Sequence, residues 1–479
     1  MLQRRLSTTA IAAMIAGGLA AAPALAAPIL VTSAADNGPG TLRAALETAS
    51  AADEPQTIVV ATEADIQIAG TLTYSGTAPL EIVGSGQTIS AAEDVTLLAA
   101  TQGASLSVMN LSFAGPGGFD IENRSAQGMA AGKGIFVDVR DDQTGTVAVT
   151  LTNVSITGTA GHGLHVSDCT LADACGGGGG GAGEGSPASI ALSLTNVTVE
   201  DTAYGRFDAD GVRVDERGEG DIAFVATSST FTGIGADGVE LDEGQAGDVN
   251  ALIALSSFTD NGGYCDPDLL EAFMPDEPEG EFDEGAMMED AIPGPVTGSP
   301  DDGCFEREVD TYDDGSVEEY EFAIDVDDGF DIDEAGPGSM FVSVTESVMN
   351  GNLDEGFDFD EEGAGDIYAN YLNTTATGNT DDAYKHSEEG EGGVFGLVSG
   401  STATDNGGVG FVFEEEDAGY VGVVILDSVT TGNDDGELGI EVVQEDEGSG
   451  NLLVAASDIA DGVEAEGVTV VDQAPDAAE

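Results

Sequence analysis

The 479 residues carry 91 Asp and Glu against 11 Lys and Arg, a formal charge of −80. A chain this acidic repels phosphate backbones and anionic lipid, which excludes ordinary electrostatic binding to nucleic acid or an anionic membrane. It favours cations, basic partners or a salty medium, and a solvating acidic surface also resists aggregation.

Residues 1–26 read as an export signal. Arg4 and Arg5 form the basic head, Ile11 to Ala22 the apolar stretch, and Ala24-Leu25-Ala26 a small-x-small cleavage site. The apolar run is too short and Ala-rich for a good membrane span, and no later segment offers the roughly 18 consecutive apolar residues that one needs. Cleavage removes two basic residues and no acidic ones, which leaves 9 − 91 = −82. The expected product is exported to the periplasm, cell surface or medium. There disulfides form, and local pairing of Cys169 with Cys175 and of Cys265 with Cys304 would close one loop each. The close Cys-x-x-Cys pairs of a thiolate metal site are missing.

Residues 27–57 have the pattern of a cap. Ile29–Thr32 is strand-like, Asp36–Gly40 is a turn, and Thr41–Ala49 has helical spacing with Leu42 and Leu46 on one face. The run Gly40, Thr41, Leu42, Arg43, Ala45 and Leu46 resembles the N-terminal cap of bacterial right-handed parallel β-helix repeat proteins, a pectate-lyase-like solenoid family. The text that follows, DIQIAGTLTYSGTAPLEIVGSGQTISA and SLSVMNLSFAG, resembles that family's opening coils, so the likeness covers about residues 29–117. It implies a helix covering the open end of a solenoid. The family holds both adhesin-like surface proteins and polysaccharide-active enzymes, so membership alone does not assign a function.

An internal repeat carries the fold through the rest of the chain. Steps of 27 from Phe330 reach Phe357, Tyr384, Phe411 and Leu438. From Ile332 they reach Phe359, His386, Phe413 and Ile440. Gly338, Gly365, Gly392 and Gly419 form a third column, and Asn352, Asn379, Asn406 and Asn433 a fourth. Val212 and Val239 extend the register backwards. Within a coil, apolar residues alternate with polar ones, the period of a strand. A helical repeat would space them by three and four, and a propeller blade needs about 40 residues. The expected fold is all-β: a right-handed parallel β-helix of about 27-residue coils with a capping helix. It occupies 58–262, with a Gly-rich loop near 169–188, and continues over 321–472, with a tail at 473–479. The acidic segment 263–320 is an insertion closed by Cys265 and Cys304, and its composition predicts partial disorder.

Two acidic columns are the chemical feature. One is Asp215, Asp242, Asp333, Asp360, Ser387, Glu414 and Glu441. The next is Glu216, Glu243, Glu334, Glu361, Glu388 and Glu415, with Asp331 and Asp358 nearby on the outward face. Stacked like charges destabilise a sheet unless they are screened, neutralised or used. Ca²⁺ takes carboxylate oxygens from several residues, so the columns are candidate ligands for low-affinity Ca²⁺; the competing reading is a solvated face suited to brine. Nine-residue calcium repeats and EF-hand loops are absent.

The expected function is a non-enzymatic surface or secreted solenoid displaying this face to cations, a glycan or a protein. The alternative is a Ca²⁺-dependent lyase or glycoside hydrolase. For the lyase, Arg206, Arg213 and Arg217 cluster, but Arg213 precedes Glu240 by 27 residues, and an interstrand ion pair explains it. Lys385 is expected to pair with Asp358 in the same way. For a hydrolase, Asn379-Thr380-Asp381-Asp382 and Gly161-His162-Gly163 lie in the wrong order. His386 sits in an apolar column, which predicts a structural role, while His162 and His165 could join a metal site.

Overall fold

The computed structural model describes residues 27–122, 131–169, 185–445 and 448–471. The export signal, Cys175, most of the Gly-rich loop and the terminal tail lie outside them. The described chain is a right-handed parallel β-helix. One narrow sheet stacks twelve strands, one from each coil. A broad sheet of 22 strands wraps the other two sides, and every pairing in both is parallel.

One coil shows how the sequence makes the shape. Phe357–Glu361 is a narrow-sheet strand with Phe357 and Phe359 buried inside and Asp358 and Asp360 on the outer face. A glycine turn leads to the strand Asp366–Leu372. Asn373 then takes a left-handed backbone (φ 52°), which bends the chain into Thr375–Thr377, and Gly378 (φ 68°) makes the next corner. The expected register holds: Phe330 pairs with Phe357, and Asp331 with Asp358. Inside, the rings of Phe330, Phe357, Tyr384 and Phe411 follow one another at 5.5, 6.0 and 4.9 Å, the first pair edge-on, the second tilted and the third stacked. The asparagine column is a hydrogen-bonded ladder that begins one coil earlier than expected. Each amide of Asn261, Asn352, Asn379 and Asn406 donates to the carbonyl oxygen of the next asparagine at 2.7–3.0 Å. The left-handed residue at this corner is the one before the asparagine.

The cap is a helix over Leu42–Ser50, with Thr41 as N-cap and Leu42, Ala45, Leu46 and Ala49 buried on the first strands. Arg43 anchors it, donating to the carbonyls of Gly70 and Thr71 and pairing with Asp36 at 2.6 Å.

Two expectations fail. The 27-residue register stops at the last step: Phe411 pairs with Ile440, not Leu438, and Glu414 with Val443, not Glu441. The tight turn Asp434–Gly436, with Asp434 and Asp435 both at positive φ, takes up two extra residues. The acidic insertion, expected to be partly disordered, folds as a three-stranded antiparallel sheet of Glu279–Glu281, Phe305–Thr311 and Val317–Ile324. Val317, Tyr320, Phe322 and Ile292 form its own small core. The Cys265–Cys304 disulfide packs with Leu270 and Tyr264 in a second one, at the root of the insertion.

Candidate metal centre: an acidic groove above a buried glutamate ladder

The two acidic columns part company. Asp and Glu are neighbours in the chain, so the alternation of a strand sends them to opposite sides of the narrow sheet. Asp215, Asp242, Asp333 and Asp360 face out with Asp331 and Asp358, while the glutamates point into the solenoid. The single acidic face expected from the sequence is therefore two structures.

Outside, one cross-strand column reads Arg213, Glu240, Asp331, Asp358 and Lys385, a cation at each end and carboxylates between. Arg213 pairs with Asp208 at 3.1 Å, Asp210 at 3.4 Å and Asp215 at 2.8 Å, and also with Glu240 and Asp242. Lys385 donates to Asp358 Oδ2 at 2.8 Å and lies 3.6 Å from Glu355. Both expected ion pairs therefore form. Between them lies a groove of about 460 Å³, walled on one side by Glu306 and Asp325–Asp327 where the insertion returns to the solenoid. All fourteen of its lining residues are acidic except Phe207 and Val326.

The middle of the groove has too little positive charge. Among the described residues no basic side chain pairs with Asp237, Asp327, Asp328 or Asp331. Burial first, and neighbouring carboxylates second, hold all four well above the usual carboxylate range. The same causes push Asp354 up to about 10 and Asp325 to about 7. Asp358 Oδ1 is buried there with no partner. Oxygens of Glu240, Asp242 and Asp333 lie within 4.8 Å of one another, as do those of Asp328, Glu355 and Asp358. Oxygens bound to one Ca²⁺ at about 2.3–2.6 Å are at most about 5 Å apart, so the spacing of each trio is compatible with one hard cation.

Inside, Glu216, Glu243, Glu334, Glu361, Glu388 and Glu415 are fully buried. Each reaches the glycine turn that follows it. Glu216 accepts from the N–H groups of Gly218 and Gly220 at 3.2 Å, and Glu415 from that of Gly419 at 2.7 Å. Successive carboxyls are neighbours up the column, from Asp168 below Glu216 to Glu415, and each disfavours ionisation of the next. As carboxylates, Glu334 and Glu388 would have no donor on either oxygen. The ladder therefore holds protons. Burial, then the neighbouring acids, push Glu216 up to about 10, Glu334 to about 11 and Glu388 to about 9.

The glycine column is required first by the close approach of successive turns to one another and second by this ladder. A Cβ on Gly365 would stand 1.6 Å from the carbonyl oxygen of Gly338 and 3.0 Å from Glu361 Oε1, and Gly338, Gly392 and Gly419 are equally crowded.

The remaining candidates fall into place around the groove. His386 is fully buried, bonds Tyr371 Oη at 2.7 Å and the Val412 carbonyl at 2.8 Å, and stacks on Phe413 at 4.4 Å, which is the structural role expected. His162 and His165 lie 4.6 Å apart with their rings tilted by 49°, but they serve protein groups: His162 Nδ1 accepts from the Asp210 N–H, and His165 Nε2 lies 2.6 Å from Asp215. Lys133, which sequence reasoning gave no partner, lies 2.5 Å from His165 Nδ1. Arg217 is buried against Asp242 at 2.6 Å. Asp382 accepts the Val409 N–H, which gives the Asn-Thr-Asp-Asp segment a structural use.

No known family model matches the chain, and no curated protein matches it. Among solved structures it is similar to tailspike protein 2 of the Escherichia coli O157:H7 bacteriophage CAB120, at 11% identity over 80% of this chain and 40% of that one, TM-score 0.36. It is similar to ORF18 of Geobacillus virus E2, at 10% identity over 92% and 62%, TM-score 0.32. A third is the catalytic unit of a GH87 α-1,3-glucanase from Streptomyces thermodiastaticus strain HF3-3, at 12% identity over 91% and 70%, TM-score 0.32. The chain thus spans less than two thirds of the two viral proteins. At these identities nothing about ligand or activity passes to it. No helix among the described residues is long and apolar enough to cross a membrane.

Proposed function

We propose that this is an exported, non-enzymatic binding solenoid whose groove takes up divalent cations of the Ca²⁺ type. The supporting observation is the outward column from Arg213 to Lys385, with Asp331 and its neighbours crowded between two cations that are already engaged. Ca²⁺ would replace the protons that burial forces onto these groups. In this reading the ligands are the outward carboxylates Asp242, Asp333, Asp360, Asp331 and Asp358; the inward glutamates, fully buried, are scaffold. The test is calorimetry and thermal melting of the mature protein with Ca²⁺, repeated with Mg²⁺ and in high NaCl. Saturable heat and a melting rise specific to Ca²⁺, both lost in D331N/D360N, support the site. Equal stabilisation by any salt, with no saturable heat, means general charge adaptation and overturns it.

One observation favours the enzymatic alternative: Lys133, His165 and Arg213 meet Asp210 and Asp215 on adjacent coils at one end of the groove. They are buried, however, and the field of the chain repels a polyuronate. Release of reducing ends or unsaturated sugars from a panel of polysaccharides, abolished in K133M, would establish that reading instead.

A further inference from the structure

The broad sheet has an outer face unlike the rest of the molecule. Over the six strands Val249–Ala254, Met340–Thr345, Asp366–Leu372, Gly393–Ser399, Tyr420–Leu426 and Ser449–Ala455, the outward residues are Ser, Thr, Asn, Ala and large apolar side chains. Asp366 is their one ionisable acid, and its carboxylate accepts the Tyr368 hydroxyl at 2.8 Å. In a chain with 91 acids, this is a patch some six coils long with almost no charge.

The face is also apolar and stiff. Leu252 is 50% exposed, Phe341 42%, Leu397 40% and Tyr420 37%. Phe341, Tyr368 and Phe395 stack along the solenoid at 5.2 and 4.9 Å, within 10° of parallel. The next position in their column is Gly422, and Tyr420 leans its ring over that glycine to continue the row, 5.9 Å from Phe395. Asn451 Nδ2 pins the Tyr420 hydroxyl at 2.6 Å. Rings held this way lose little further freedom when a partner covers them. Exposed apolar surface of this extent marks an interaction site on a soluble protein.

We propose that this face docks a second copy of the chain, the two solenoids packing back to back with their acidic grooves outward. Charge selects the occupant. A basic partner would be drawn to the groove, whereas a copy carrying the same large negative charge can approach closely only where like charges do not meet. Size agrees: six strands at about 4.8 Å, each about 20 Å long, offer roughly 500–600 Å² per copy. That puts the pair near 1,000–1,200 Å², the lower bound for a specific interface. The acids Glu346 and Asp427 at the bends border the patch, so the two copies still repel at its rim.

Salt therefore gives the association its signature. Rim and long-range repulsion are screened within about 10 Å at 0.1 M salt and persist to about 30 Å at 0.01 M, so the dimer should strengthen as NaCl rises. Sedimentation velocity of the full mature chain, from low salt to about 0.5 M NaCl, should show the mass doubling at the high end. L252E/L397E should weaken association at least tenfold without changing the circular dichroism spectrum. F341S, which adds no charge, should weaken it to a lesser degree, and D331N in the groove should leave it intact. A wild-type chain that stays monomeric at high salt and high concentration overturns the proposal, as do variants that dimerise like the wild type. Flotation of the monomer with vesicles of neutral lipid, abolished by L252E/L397E, would overturn it in favour of a lipid surface.

Discussion

The side-chain amide of Gln444 donates to Glu415 Oε2 at 2.7 Å and so ends the buried carboxyl column with a group that needs no proton. Its other contact is the Asp417 carbonyl at 2.6 Å. Q444E would place another acid above Glu415 in a site built for a donor. At pH 8 it should cost about 1–3 kcal/mol, and much less at pH 5, where the added carboxyl is protonated and can donate. Urea unfolding of both proteins at the two pH values measures the difference.

The ladder makes the fold sensitive to alkali rather than acid. Glu216, Glu334 and Glu388 bind a proton more tightly folded than unfolded, since burial raises them from an ordinary 4.5 to about 10, 11 and 9. A group raised in this way contributes stability that is fully present below its unfolded pKa and lost as pH rises through its folded one. Melting temperature at constant ionic strength should therefore decline from about pH 5, fall most steeply between about pH 6 and 8, and level off only as pH passes the folded values of about 9 to 11. E334Q/E388Q, which removes two of these protons, should flatten the profile. A melting temperature that rises from pH 5 to 9 would mean that the column is ionised and neutralised by something other than protons.

The coil, the register and the internal ring column were legible because each is a period, and a period of 27 is visible in the sequence wherever Phe330 has its echo at Phe357 and Tyr384. The direction of the acidic columns was legible too, but only by carrying the alternation one residue further: if Phe357 and Phe359 point inward, so does Glu361. The assumption that charge belongs outside overrode that pattern, and the glycine four residues after each glutamate was the signal that the turn closes on a carboxyl. The slip at Phe411–Ile440 comes from a turn with two acids at positive φ, which a fixed step cannot foresee. The core of the insertion rests on a few residues such as Val317, Tyr320 and Phe322, diluted among acids to a composition that looks disordered. Lys133 and His165 are 32 residues apart and meet only because two coils stack.

Gly365 tests whether the glutamate turns are as tight as their geometry implies. An alanine there meets the Gly338 carbonyl at 1.6 Å, a backbone atom that cannot rotate away. G365A should destabilise the solenoid by about 3 kcal/mol or more, and G86A, which lies at positive φ with open space around it, should cost only the backbone term of about 1 kcal/mol. Comparable losses in the two variants would mean that the coil relaxes around the added methyl group.

Cation uptake in the groove should compete with protons. Asp325 and Asp354, at the groove, are raised to about 7 and 10 with burial as the first cause, so part of the groove is protonated at neutral pH. A Ca²⁺ ion needs the ionised form, so its binding must release protons and its affinity must rise with pH. Calorimetric titrations at pH 6, 7 and 8, each in two buffers of different ionisation enthalpy, read both quantities at once. We expect affinity to increase at each step and the released protons to grow fewer between pH 7 and 8 as Asp325 ionises. D325N should remove the part of the pH dependence centred near 7 and leave the higher part in place. Binding with no proton release at any pH would place the ion on surface carboxylates that are already charged, away from the groove.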